Sequence, residues 1–182
     1  MSLTIKGFFI FLIVLFASCA THRESTIIGG KYDAAKDVTD YYVFPYGQVF
    51  LPGKWDKCGY NKVAHQQFFT NQDSVIVAVA FGPTGRYEFN TDGALKGYDF
   101  VNAFYEWDSK YFESNGMTCQ MIEKDTEKPY VIYRVFGEDA DTYFLIGEKN
   151  GIVNNFSVNI TSRWTESEKI DFLKSLFHTD KQ

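Results

Sequence analysis

The chain has 182 residues, 45% of them hydrophobic and 18% aromatic, and a net charge of -5. That length suits one domain with a sizeable core, and an acidic chain without basic clusters argues against nucleic acid as a partner. An acidic body also gains nothing electrostatically from an anionic membrane, so attachment to one must come from another source.

The chain begins with a greasy segment. Residues 8–17, FFIFLIVLFA, are uninterrupted apolar residues behind the positive charge of Lys6. A membrane-spanning helix needs about 20 such residues and a secretory signal core about 7–15, so the run predicts an export signal. It ends at Cys19. The stretch Phe16-Ala17-Ser18-Cys19 resembles the lipobox of bacterial lipoproteins, with Phe16 where Leu is usual. The resemblance implies that the signal peptide, residues 1–18, is removed, that the Cys19 thiol carries a diacylglyceryl group, and that the new amino terminus is acylated. It implies a place in the bacterial cell envelope, and Ala20 after the cysteine, instead of Asp, points within that family to the outer membrane. From the residues alone, an ordinary secretory signal cut after Ala17 or Ala20 stays open.

Residues 19–40 are polar around IIGGKYDAAKD and read as a lipid-anchored flexible tether, which leaves 41–182 as a single globular domain. Two cysteines remain there, Cys58 and Cys119. In an oxidising compartment they are candidates for a disulfide, which would add about 4 kcal/mol in the chain-entropy model. Two separate thiols are the alternative.

The domain opens with YYVFPYGQVFLPGKW, strand-forming residues punctuated by Pro45 and Pro52-Gly53. Thr70 to Ser74 reads as a hairpin turn before residues 75–81, which are apolar on both alternating faces and predict a strand covered on both sides. RYEFN reads as one more short strand. Over residues 99–112 the period changes: Phe100, Phe104, Trp107 and Tyr111 fall on one face of a helix. A helix packed on a sheet explains that stripe better than a ligand site does. MTCQMIEK, YVIYRVFG and TYFLIGEK follow as strands, and Asn150-Gly151 predicts a tight type I′ hairpin into a last strand. The chain closes with a helix announced by the capping box Thr165-Glu166-Ser167-Glu168, with Ile170, Leu173, Leu176 and Phe177 as its buried stripe.

This order predicts an α+β domain: an antiparallel sheet of about six strands with two main helices packed on it. With FLPGKW near the start and a capped helix at the end, the pattern over residues 43–177 is similar to PsbP-like α/β/α domains. That resemblance implies an assembly or accessory role, and it carries no catalytic residues over. The high aromatic content fits a sheet-rich core, with an exposed recognition surface as the sharper alternative.

The residues that could do chemistry are few. Cys58 and His65 could form a nucleophile pair, but no third group to orient them is evident. Glu138, Asp139 and Asp141 cluster in GEDAD without the spacing of a calcium loop. No metal or cofactor is expected. The sequence therefore predicts a non-catalytic envelope protein, anchored to the membrane by its N-terminal lipid and binding another protein in an assembly or accessory role. The alternatives are an immunity or inhibitor lipoprotein that neutralises a secreted toxin, and a hydrolase.

Overall fold

The computed structural model describes residues 26–178. The lipobox, Cys19 and the signal segment lie outside them. Among the described residues, eleven strands and two helices build an α+β domain around two antiparallel sheets. The larger sheet has seven strands in the order β5-β6-β7-β11-β10-β9-β8: β5 (Asp56–Asn61), β6 (Gln66–Thr70), β7 (Ile76–Pro83), β11 (Ile152–Val158), β10 (Asp141–Lys149), β9 (Tyr130–Phe136) and β8 (Thr118–Asp125). The smaller sheet joins β1 (Ile27–Gly29), β2 (Tyr32–Asp33), β3 (Val38–Phe44) and β4 (Gly47–Pro52).

The strands from Ile27 to Phe44 revise one expectation. Much of the stretch read as a tether is sheet: β1 and β2 both pair with β3, and Ile27 lies opposite Phe44. Gly30 makes this possible. Its φ is +134°, and a Cβ there would sit 2.1 Å from the Asp40 carbonyl oxygen, so the pair that reads as a break is a tight crossing over β3.

Each face of the large sheet carries a packed layer, which is why its central strands are apolar on both alternating faces. On one face α1 (Gly97–Ser114) packs over β8, β9 and β10, burying Phe100, Val101 and Phe104 against Val131, Tyr133, Val135 and Ile146. On the other, α2 (Glu166–His178) and the small sheet share a core in which Leu173, Leu176 and Phe177 meet Tyr130, Ile132, Leu145 and Phe156, and Tyr41, Val49 and Leu51 meet Phe69, Val77 and Val79. The buried carboxylate of Glu148 ties this framework together. It accepts from the Gly97 amide at 2.7 Å, at the start of α1, and from the Gly151 amide in the hairpin turn.

Local signals place the elements. Asn150 and Gly151 both have positive φ, as a type I′ turn requires, and set the register from Lys149–Ile152 to Tyr143–Val158. The capping box forms: Glu168 accepts from the Thr165 amide at 2.7 Å, and the Thr165 hydroxyl accepts from the Glu168 amide at 3.3 Å. Ile170 packs half-buried against the same core as Leu173, Leu176 and Phe177, and Lys169 is buried as well; its ammonium lies 3.8 Å from Asp141 and over the Tyr143 ring.

RYEFN is not a strand. It forms two 3-10 turns, Thr84–Arg86 and Glu88–Asn90, held by the buried Asn90 side chain, which donates to the Thr84 and Leu95 carbonyls and accepts from the Leu95 amide. Cys58 and Cys119 are free thiols. They lie on β5 and β8, the two opposite edges of the seven-stranded sheet. Six inter-strand steps of about 4.8 Å put them about 29 Å apart, far beyond the roughly 4.4–6.8 Å between the Cα atoms of a disulfide.

Candidate functional site

Helix α1 covers only the β8–β10 half of its sheet face. Beside the helix, over β6, β11 and β10, a cleft of about 650 Å³ opens. Its floor is Gln66 on β6, Asn155 on β11 and Phe144 on β10. One wall is the flank of α1: Phe104, Trp107, Asp108, Tyr111 and Phe112. The facing wall is the β5–β6 turn with Val63 and Ala64, and the segment Arg86-Tyr87-Glu88 closes one end.

The polar groups in this aromatic setting are individually held. The Arg86 guanidinium donates to the Ala64 carbonyl at 2.9 Å and to the Phe81 carbonyl at 3.5 Å, so it fastens the β5–β6 turn to β7. Trp107 donates its indole N–H to Glu88 at 2.6 Å, which fixes the ring against Tyr87, Phe89 and Phe104. Asp108 accepts from the hydroxyl of the fully buried Tyr133 at 2.5 Å. The buried Asn155 Oδ1 has no hydrogen-bond partner among the described residues.

Burial pushes the Asp108 carboxyl up to about 6, against the opposing pull of the Tyr133 hydroxyl. Burial also raises the Tyr87 phenol, and burial and Asp108 raise that of Tyr133, so both stay protonated and able to donate. The folded protein thus holds a proton on Asp108 that the unfolded chain has released near pH 4. Against the opposite slope from Glu123, Asp125 and Glu168, whose carboxyls are held below their usual range, the Asp108 contribution to stability should fall as pH rises from about 4 to about 6 and then level off, by about 3 kcal/mol. Asp108→Asn should remove most of that slope in urea unfolding measured across the range, since the amide can still accept from Tyr133 but does not titrate. An unchanged slope would place the titration elsewhere.

No family model and no curated protein matches the sequence. Among solved structures, the chain is similar to the solution structure of cyanobacterial PsbP (CyanoP) from Synechocystis sp. PCC 6803. The TM-score is 0.42 and the identity 15%, with 91% of this chain and 95% of that chain covered.

The residues singled out in the sequence do not converge on the cleft. Cys58 is on the exposed edge strand β5, and burial raises its thiol, which leaves it less nucleophilic. His65 lies in the turn beyond the Asn61–Gln66 pair, about 10 Å along the hairpin from Cys58, with its ring against the Tyr60 hydroxyl at 3.4 Å. Asp141 of the GEDAD turn is paired with Arg134 at 2.6 Å. Among the described residues no three His, Cys, Asp or Glu side chains gather as a metal site would need, and no helix is long and apolar enough to cross a membrane. Asp108 and Asn155 read in the sequence as the polar sides of α1 and β11, not as site residues. One signal was available for Asp108: it stands four residues from both Phe104 and Phe112, a carboxylate inside an apolar stripe.

Proposed function

We propose that this chain is a lipid-anchored protein of the bacterial cell envelope, held at the outer membrane through Cys19, which binds a protein partner through the α1 cleft without catalysing a reaction. The lipobox resemblance supports the anchor. The observation that carries the binding role is the wall of α1, where Trp107 and the 61% exposed Tyr111 stand over a polar floor. Rigid, half-exposed aromatics beside an unfilled acceptor have the composition of an interface centre. The groups with most chemical reach support binding over turnover, because each is engaged in holding the cleft: Asp108 with Tyr133, Glu88 with Trp107, and Arg86 with two backbone carbonyls.

Val63 is 90% exposed on the facing wall and Ile160 is 62% exposed at the far end of β11. A photocrosslinker at Val63 in the lipidated protein should capture a discrete protein adduct in intact cells, and one at Ile160 should not. Tyr111→Ala should reduce the adduct about tenfold, the effect of losing one interface anchor. An adduct indifferent to Tyr111 would remove the cleft from the binding reaction.

A further inference from the structure

Three of the large apolar side chains left in water crowd one corner of the small sheet: Ile27 is 57% exposed, Ile28 43% and Phe44 61%. Ile27 and Phe44 are register partners across β1 and β3, so their side chains stand together on the outward face. Tyr42, Pro45 and Tyr46 extend that surface as a shallow groove. Ile28 points to the other side of β1, where it borders a second groove with Tyr46 and Pro83.

The folded strands begin very near the proposed anchor. Ile27 starts β1 only eight positions after Cys19. A chain of that length reaches about 28 Å when fully stretched and spans about 15 Å when relaxed. A domain of this size has a radius of gyration of about 15 Å, so its diameter exceeds even the fully stretched length. The corner that bears Ile27, Ile28 and Phe44 is therefore the part of the body held closest to the bilayer.

We propose that this corner docks on the phospholipid surface, with Ile27 and Phe44 entering the headgroup–acyl boundary and Ile28 at its edge. The proposal rests on the lipoprotein reading of Cys19. The lipid chains supply the attachment and the corner supplies the orientation. Tethering turns the second contact into an intramolecular one, so a patch too weak to bind vesicles alone is occupied once Cys19 is anchored.

The test uses the full lipidated chain in vesicles of phosphatidylethanolamine and phosphatidylglycerol carrying brominated phospholipids. Phe44→Trp puts an indole at the corner. Ile160→Trp puts one two positions beyond the end of β11, about 27 Å along that strand from the Ile152–Pro83 pair near which Ile28 lies. Both positions are exposed, and both variants carry the same three native tryptophans. Emission from the Phe44→Trp indole should be quenched at least threefold more strongly than that from Ile160→Trp. Co-flotation with the vesicles reads the anchor separately. Flotation with equal quenching overturns the docking and leaves the anchor standing, whereas failure to float overturns the anchor and the docking with it. An indole at position 44 shielded from aqueous acrylamide but untouched by bromine means a second copy or another protein covers the corner, which also overturns the proposal.

Discussion

Gly147→Val should cost the fold about 3 kcal/mol, near the upper end for overpacking a core. Gly147 lies on β10 where α2 crosses the sheet. A Cβ at this position would stand 2.2 Å from Cε2 and 2.6 Å from Cζ of Phe177. The Phe177 ring cannot swing away easily. It is 2% exposed and packs edge-on against Tyr130 at 5.6 Å. The Lys149 ammonium sits 4.5 Å above it while donating to the Phe177 carbonyl at 2.6 Å, which pins the end of the helix. Valine would therefore lift the last turn of α2 from the sheet and loosen Leu173 and Leu176 as well. In thermal unfolding the loss should appear as a fall of about 6–12 °C. The double variant Gly147→Val/Phe177→Ala separates this cause from a simple strand effect. Removing the ring removes the collision, so the double variant should be less destabilised than the sum of the single ones by more than about 1 kcal/mol. Additivity, or a single-variant loss below about 1 kcal/mol, would mean that β10 and α2 do not meet at this point.

Local rules with a fixed geometry were the most legible part of the fold. Asn150-Gly151, the Thr165/Glu168 box and the Phe100–Phe104 stripe depend on residues within a few positions of one another, and all appear where expected. Elements whose stability comes from distant partners were not legible. β1 is three residues long and exists because β3 offers it an edge; nothing in IIGG announces that edge. Arg86 to Asn90 has the composition of a strand, but Asn90 satisfies three backbone groups at once and closes the segment into turns. The cysteines show the same limit. Spacing along the chain cannot tell that β5 and β8 are opposite edges of one sheet, because that order is set only when β11 inserts between β7 and β10.

The cleft was partly legible. The Trp107 stripe reads as a packing face, and it is one: Trp107 joins Tyr87, Phe89 and Phe104 in an aromatic cluster. The same ring also lines the cleft, because α1 is displaced to one half of the sheet. Asn155 reads as the polar side of a half-exposed strand. In the fold that side faces the α1 layer, so its amide becomes a buried polar feature beside apolar neighbours. Helical and strand periods identify which residues share a face. They do not tell how much of the opposing face is covered, and the uncovered remainder is where this site lies.

Cysteine chemistry gives the largest effect expected of any single atom in the chain. If Cys19 is acylated as the lipobox resemblance implies, each buried methylene adds about 0.8 kcal/mol, and several chains together hold the body almost permanently. Cys19→Ser, placed behind a leader that is cut before position 19 by ordinary signal cleavage, should lower the membrane-to-soluble ratio by about 100-fold or more in fractionated cells. The Ile27, Ile28 and Phe44 corner would remain, but without a tether its few side chains fall short of stable attachment. Thiol counting provides the independent arm. Cys58 and Cys119 lie on opposite sheet edges and stay reduced, so both are available to a thiol reagent once the chain is unfolded. Unfolded in denaturant without reductant, the mature protein should take up two maleimides, and so should the Cys19→Ser variant. Three in the wild type would mean an unmodified Cys19 and an ordinary secretory cut after Ala17, two in a wild type that fractionates as soluble would mean a cut after Ala20, and none would mean that Cys58 and Cys119 pair despite the sheet between them.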